Sequence, residues 1–588
     1  MKRHKIFIMG IACSLLTACE LTEMPYTSVT DDELASNSNS VESVTLGNYA
    51  SLKSLEFNKG VHQIGEYASD NILMSGQSTS STFNTYNYQR VVTNSYTKDL
   101  WGVCYKTIVN CNKIISTSKE GLSNEMDHLI GENYFIRALM YHQLAITFGK
   151  MYHVATDADL AVPLKLTADK DDFPPRATVK KVYDQVVKDL KDAERLMINS
   201  GIEKDACYAN LWAVKAYLSR VYLYMHDYKN AEIYATDVIE HSGKRLLTSN
   251  EYLTMNELVP ENNPEALFAI RMLKDDLVEL GDYSVIGSQY AIIDGRGYGE
   301  VYISQPLLDA FEKYPNDIRS TFIKPQYIIP GKGEEQQYEI VFISENYFYD
   351  NSLTPKRDPL HRQYYRFQAV KKTGDNTYVI DDKNIGIFEI DKNNFTVDDK
   401  GYIIGGIKAR QTFKNKDGQK SEAEWVLYDK ARIQKTMDKR NDYPRYYNIK
   451  CSLQEKYSHL WSPMVIRYSE MYMNRAEAYY YLNEPDNAIN DLNEIKRRAM
   501  IPDYSEENDG ELLVAIIDER RKEFYAEGQR KYDLLRNNMV IDRHYPGCHD
   551  RGSETSVVQE IRVTDNCAVH YIPQNEIDSY PIELPQNP

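Results

Sequence analysis

The sequence predicts a mainly α fold, a tetratricopeptide-like helical-repeat scaffold with a loop- and β-hairpin-rich region inserted into it. Three observations carry this expectation. Apolar residues recur at helical spacing over most of residues 33–245. Two helical hairpins far apart in the chain share one pattern. Between them, over residues 273–450, helical periodicity gives way to period-two alternation, turn signals and a high density of Tyr, Gly and Asp.

The first twenty residues, MKRHKIFIMGIACSLLTACE, place Lys2, Arg3 and Lys5 before an apolar run over 6–16. A positive start followed by a run too short to span a bilayer is a secretory leader. Leu16-Thr17-Ala18-Cys19 is similar to a bacterial lipobox, so residues 1–18 are expected to be removed and Cys19 acylated. An ordinary leader cut near Ala18, with Cys19 a bystander, is the alternative.

Residues 19–272 form the expected N-terminal helical part. Residues 129–148 repeat apolar side chains at helical spacing and stop at Gly149. After Pro175, Thr178 is a candidate N-cap, and Val179, Val182, Val186 and Leu190 fall on one stripe. Residues 214–240 and 470–496 are the two similar hairpins. One offset lays Ser219 on Ala476, Tyr222 on Tyr479, Tyr224 on Tyr481 and Ala231 on Ala488. Small residues at the helix crossing and an aromatic before a short turn are the tetratricopeptide pattern, a scaffold rather than a catalyst. The inserted region, 273–450, carries the alternating segments GIFEI and YIIGGIKA and the turn signal Lys416-Asp417-Gly418. Residues 451–588 return to helix.

With 69 Lys and Arg against 86 Asp and Glu, the chain carries a formal charge of −17. Removing the leader makes it more acidic. No domain-sized stretch supplies a basic footprint, which excludes nucleic acid as a partner. None of the eight cysteines lies in a CxxC pair, so thiolate zinc sites have no support. Cys104 and Cys111 sit two helical turns apart, roughly 10 Å, too far to bridge. Cys548 and Cys567 bracket a polar loop and are the best candidates for a disulfide. The 47 tyrosines, against 16 Phe and 4 Trp, supply apolar faces with polar tips, suited both to helix packing and to wet binding surfaces.

Several stretches together resemble one family. LWGVCYKTIVNCNKII, YFIRALMYHQLAITFG, PRATVKKVYDQVVKDLKDAERL, IRYSEMYMNRAEAYYYL with LNEIKRRAMIP, ERRKEFYAEGQRKYDLLR and the closing IPQNEIDSYPIELPQNP are similar to blocks of SusD/RagB-type outer-membrane lipoproteins of the Bacteroidetes. Met500 stands where the family has Gly, and within 273–450 only YPNDIRSTF matches. The resemblance implies helix pairs supporting a variable ligand-binding face and a nutrient ligand, usually an oligosaccharide and in some members a peptide. It also implies a SusC-like TonB-dependent transporter as partner, a lipid anchor facing the cell surface, no cofactor and no catalysis.

Glu519, Glu523 and Glu527 are four residues apart, which on a helix places three carboxylates on one face. Arg520, Arg521, Arg530 and Arg536 are interleaved, and arginines keep carboxylates ionised, the opposite of a general acid. The expectation is a structural ion-pair network. H-E-x-x-H, G-x-S-x-G, P-loop and EF-hand patterns are missing, Asp381–Gly386 lacks the alternation of a calcium loop, and His544 and His549 form the only close histidine pair. No catalytic or metal residue is assigned. A glycoside hydrolase stays open because its carboxylates are dispersed in sequence, and so does a tetratricopeptide assembly adaptor.

Sugar binding calls for flat apolar faces beside polar side chains. Phe83, Tyr86 and Tyr88 lie among Ser, Thr and Asn in residues 75–91, and Tyr283, Tyr290 and Tyr298 accompany Asp294 and Arg296 in 281–302. These eight are the candidate ligand-binding residues, each aromatic alternatively packing under its own loop. Arg362–Phe367 suits a strand equally well and is not assigned.

Overall fold

A computed structural model describes residues 29–74, 80–281, 285–345, 347–349, 355–357, 362–382, 386–398, 401–414, 420–548 and 558–588. The fold is mainly helical with helical repeats and an inserted sheet. The principal N-terminal helices are α1 (Ser38–Lys53), α2 (Leu55–His62), α3 (Ser95–Thr117), α4 (Asn124–Phe148), α5 (Val179–Ser200), α6 (Leu211–Tyr224) and α7 (Tyr228–His241). Each starts on an Asn, Ser, Thr or Asp whose side chain accepts from a backbone N–H of the first turn, the bond that satisfies an otherwise orphaned donor. Thr178 caps α5 as its spacing predicts. Helix α4 begins on the Ser123 cap, earlier than the apolar pattern marks.

The C-terminal helices are α8 (Tyr468–Tyr481), α9 (Pro485–Arg498), α10 (Leu512–Phe524) and α11 (Arg530–Arg536). The sequence repeat is reproduced in backbone geometry. His226 and Asn483, at equivalent positions of the two turns, both have φ of 60°. The Asp227 N–H donates to the Tyr222 carbonyl at 2.9 Å, as the Glu484 N–H does to Tyr479 at 2.8 Å. Neighbouring helices pack in chain order from α4 through α7, and α8 then packs on α7, so the two repeats stack across the intervening insertion. At that junction Arg220 forms a buried bidentate pair with Glu470 at 2.6 and 2.7 Å, Asn474 donates to Ser219 at 3.4 Å, and the rings of Tyr228 and Tyr481 stack at 4.2 Å.

The largest sheet of the insertion is antiparallel and built, among the described residues, from seven strands: β1 (Tyr338–Glu345), β2 (Gln363–Lys372), β3 (Thr377–Asp382), β4 (Gly386–Asp391), β5 (Thr396–Val397), β6 (Ile403–Lys414) and β7 (Lys420–Lys435). Their order is β4-β3-β2-β1-β7-β6-β5. The unassigned segment 362–367 falls largely in β2, and GIFEI and YIIGGIKA fall in β4 and β6. Lys416-Asp417-Gly418 lies outside the described residues. The sheet has its own apolar cluster, including Ile340, Phe342, Ile380, Ile390 and Ala431.

Candidate functional site

The two tyrosine-rich segments are brought together. Ile72 pairs with Ile303 and Leu73 with Tyr302 in a short antiparallel ladder, while the Ser304 N–H donates to the Asn71 carbonyl at 2.9 Å. Four of the candidate aromatics, however, are interior. Phe83 is 5%, Tyr86 1%, Tyr88 6% and Tyr290 0% exposed. Arg543 lies 4.2 Å over the Tyr86 ring and Lys531 5.5 Å from the Tyr88 centroid, so these rings face two buried cations rather than solvent. Burial pushes the Lys531 ammonium down to about 8. The Tyr88 hydroxyl donates to the Ala68 carbonyl. Tyr290 is hydrogen-bonded to His62 at 2.8 Å and packs edge-on against Tyr67, and burial pushes the His62 imidazole down to about 3. Where the sequence leads one to expect open stacking faces, these four rings are buried, Phe83, Tyr86 and Tyr290 in one apolar cluster and Tyr88 in the neighbouring larger one. Tyr283 lies outside the described residues.

Asp294, Arg296 and Tyr298 are different: all three are exposed, Tyr298 by 51%. Ile293 and Arg296 exchange backbone hydrogen bonds of 2.9 Å across Asp294-Gly295, whose φ values of 52° and 74° are those of a tight hairpin turn. The turn is held from below. Ser458 donates to the Asp294 carboxylate at 2.8 Å, and His459 Nε2 donates to the Arg296 carbonyl at 3.0 Å. The N–H groups of Tyr298 and Gly299 both donate to the Ser288 carbonyl, at 2.7 and 3.0 Å. A Cβ on Gly297 would come within 2.3 Å of the Ala291 carbonyl, and one on Gly299 within 2.9 Å of the Tyr447 ring. Close approach on both sides of Tyr298 thus requires glycine, and Tyr298 projects from a backbone with little freedom.

A second hairpin, at 439–444, borders this loop. Its turn residues Asn441 and Asp442 have φ of 48° and 69°, and Arg440 pairs with Glu300 at 2.9 Å. Sequence reasoning missed this hairpin and its Arg440. The signal lay in NDYPRYY, a turn pair directly before a tyrosine-rich run.

The carboxylate row has another character. Helix α10 ends at Phe524, so only Glu519 and Glu523 share its face, and Glu527 belongs to the following turn. Their partners are distant. Glu523 meets Arg467 at 2.6 Å, Arg498 at 2.5 Å and Arg319 at 3.2 Å; Glu519 meets Arg319 at 2.6 Å; Glu527 meets Lys450 at 2.7 Å and Arg467 at 3.0 Å. The interleaved arginines turn elsewhere: Arg520 to Asp533, Arg521 and Arg530 to Asp70, and Arg536 to Glu477. Burial raises the Glu519 carboxyl, but the Arg319 and Lys522 charges outweigh it and hold it at about 2. Asp317 and Arg319 of YPNDIRSTF pair at 2.6 Å, which ties the insertion into the network.

A model of the SusD family matches residues 264–588, more than half of the chain. The chain belongs to the SusD family. A second model, described as starch-binding and associating with the outer membrane, matches residues 23–223. This SusD-family chain is 22% identical over 556 residues to SusD-like protein P38 of Formosa agariphila, covering 91% of each chain. Among solved structures it is similar to a SusD superfamily protein from Bacteroides vulgatus, with a TM-score of 0.63 and 19% identity over 94% of this chain and 99% of the other. It is also similar to a SusD-like carbohydrate binding protein from the same organism, with a TM-score of 0.58 and 16% identity over 93% and 97%.

Among the described residues of this SusD-family chain, no group of three or more His, Cys, Asp or Glu is placed to hold a metal ion, and no helix is long and apolar enough to cross a membrane. His544 is hydrogen-bonded to Asp542 at 2.7 Å, and His549 lies outside the described residues, as does the centre of Asp381–Gly386. Cys548 and Cys567 carry free thiols instead of the bridge their spacing allows; Cys548 is buried and Cys567 half-buried. Cys19 lies outside the described residues.

Proposed function

We propose that this chain is a surface lipoprotein that captures a nutrient oligosaccharide and delivers it, without chemical change, to a SusC-like TonB-dependent transporter. In this reading residues 1–18 are the leader, Cys19 carries the lipid anchor at the outer membrane, 19–272 and 451–588 form the scaffold, and 273–450 is the variable region. The observation that carries the reading is the pinned loop that presents Tyr298 just after Asp294 and Arg296, all three exposed. A half-exposed ring on a fixed backbone offers a stacking face at low entropic cost, with a carboxylate and a guanidinium beside it for hydroxyls. Phe83, Tyr86, Tyr88 and Tyr290 enter this reading as buried scaffold rather than as ligand contacts. Family membership, the description of the N-terminal family model and the carbohydrate-binding relative support the ligand class.

The test is retention in affinity gels holding plant, host or microbial glycans, with peptides screened alongside by calorimetry. Wild type should be retarded by at least one glycan, and Tyr298→Ala should weaken that binding by roughly five- to two-hundredfold, the range of an aromatic hot spot. Binding only to peptides would replace the ligand class. Turnover of a glycan would replace the proposal with a hydrolase, and binding to neither would favour an assembly adaptor.

A further inference from the structure

The short strand Tyr446–Asn448 pairs with Ile323–Pro325, and its successive side chains point to opposite sides. Tyr447 turns toward the pinned loop, where its ring meets Gly299. Tyr446 turns the other way, into an open groove of about 610 Å³ between the helix Gln305–Glu312 and the strand Ile323–Pro325. Leu308, Phe311 and Pro325 give the groove apolar walls; Ser320 and Glu312 supply polar atoms. Arg432, on β7, reaches the groove residue Glu312: its Nη1 donates to Glu312 Oε1 at 2.9 Å, and its guanidinium lies 5.0 Å from the Tyr402 centroid.

We infer that this groove is a second carbohydrate subsite, for a neutral glycan, on the far side of the strand from Tyr298; the inference rests on the glycan-binding reading above. Its size falls within the range of about 300–1,000 Å³ usual for small-ligand sites. The half-buried Tyr446 ring matches the C–H face of a pyranose. The Arg432–Glu312 pair, its side chains 24% and 35% exposed, sets donors next to an acceptor, the complement of two adjacent hydroxyls. The charges at the groove are matched internally, Glu312 by Arg432 and Lys313 by Asp509 at 3.2 Å, so no excess charge selects an ionic ligand. An extended peptide adding alongside the strand Ile323–Pro325 would need backbone partners, and Pro325 has no N–H to give. Two subsites flanking one strand would let a long chain be gripped at two points.

The experiment compares wild type, Tyr446→Ala, Tyr446→Phe, Glu312→Gln and Tyr298→Ala in affinity gels containing starch, xylan or mannan, with melting temperatures measured in parallel. On the polysaccharide that retards wild type, Tyr446→Ala should weaken retention about fivefold or more and Glu312→Gln to a smaller extent, while Tyr446→Phe stays near wild type. Glu312→Gln keeps the side-chain shape and so carries the test if Tyr446→Ala melts early. If Tyr446→Ala and Glu312→Gln bind as wild type while Tyr298→Ala does not, the groove is no subsite and the proposed function stands. If none of the three polysaccharides retards wild type, the groove inference is overturned together with the neutral-glycan form of the proposed function.

Discussion

Tyr290 and Tyr298 lie eight residues apart, one at the end of the short helix Ile286–Tyr290 and the other on the loop that follows, yet one ring is 0% and the other 51% exposed. Glu523 and Asp294 differ in the same way. Glu523 is sealed among Arg467, Arg498 and Arg319, whereas Asp294, two residues from Arg296 in the chain, sits at a turn tip and accepts from Ser458. The lesson is that residue type does not separate scaffold from site in this molecule; desolvation does. Buried, a carboxylate or tyrosine is committed to protein partners. On a pinned, exposed turn the same groups face solvent, which is what the proposed ligand site requires.

The largest expected effect is in the sealed block. Glu523→Ala leaves three buried guanidiniums short of a partner and should cost about 3–5 kcal/mol, read from denaturant unfolding. An effect below 1 kcal/mol would mean that water reaches this block. Tyr290→Ala comes next. It removes a buried ring and its bond to His62, with an expected cost of about 3 kcal/mol by the same measurement.

Acid should expose the same division. Burial holds His62 and His142 at about 3, below the ordinary 6.5, so the unfolded chain binds more protons between these values and stability falls as pH drops below 6.5. Glu519, held at about 2, adds stability that is full above the ordinary 4.5 and lost as pH falls toward 2. Glu66 and Glu132, raised by burial, offset part of this loss. Melting temperature should therefore decline from pH 6.5 downward, and a flat profile from 7 to 4.5 would contradict the buried neutral histidines. The smallest effect concerns the thiols: with Cys548 and Cys567 unpaired, adding a reductant should leave the melting temperature unchanged, and a drop would reveal a bridge.

The helical scaffold was legible because its signals are local. N-caps, 3.6-residue stripes and the matched hairpins all lie within windows that a sequence displays, and alternation marked β4 and β6 just as directly. The partners of Glu523 were not legible, since Arg319, Arg467 and Arg498 approach it from other elements and no spacing encodes that meeting. The burial of Tyr86 and Tyr88 depends on Arg543 and Lys531, which come from the far end of the chain. Tyr298 had a local sign, its flanking Gly297 and Gly299, and Tyr290 had the opposite one, the apolar Val285, Ile286 and Ala291 around it. Weighing those neighbours, rather than the tyrosines alone, separates the two.

The most direct test of this division is a paired measurement of unfolding free energy and glycan retention on Tyr298→Ala and Glu523→Ala. Tyr298→Ala should stay within about 0.5 kcal/mol of wild-type stability while losing retention at least about fivefold, and Glu523→Ala should lose stability without a matching loss of affinity in its folded fraction. If Tyr298→Ala binds as wild type, or is destabilised as strongly as Glu523→Ala, the pinned loop is scaffold and the account is contradicted.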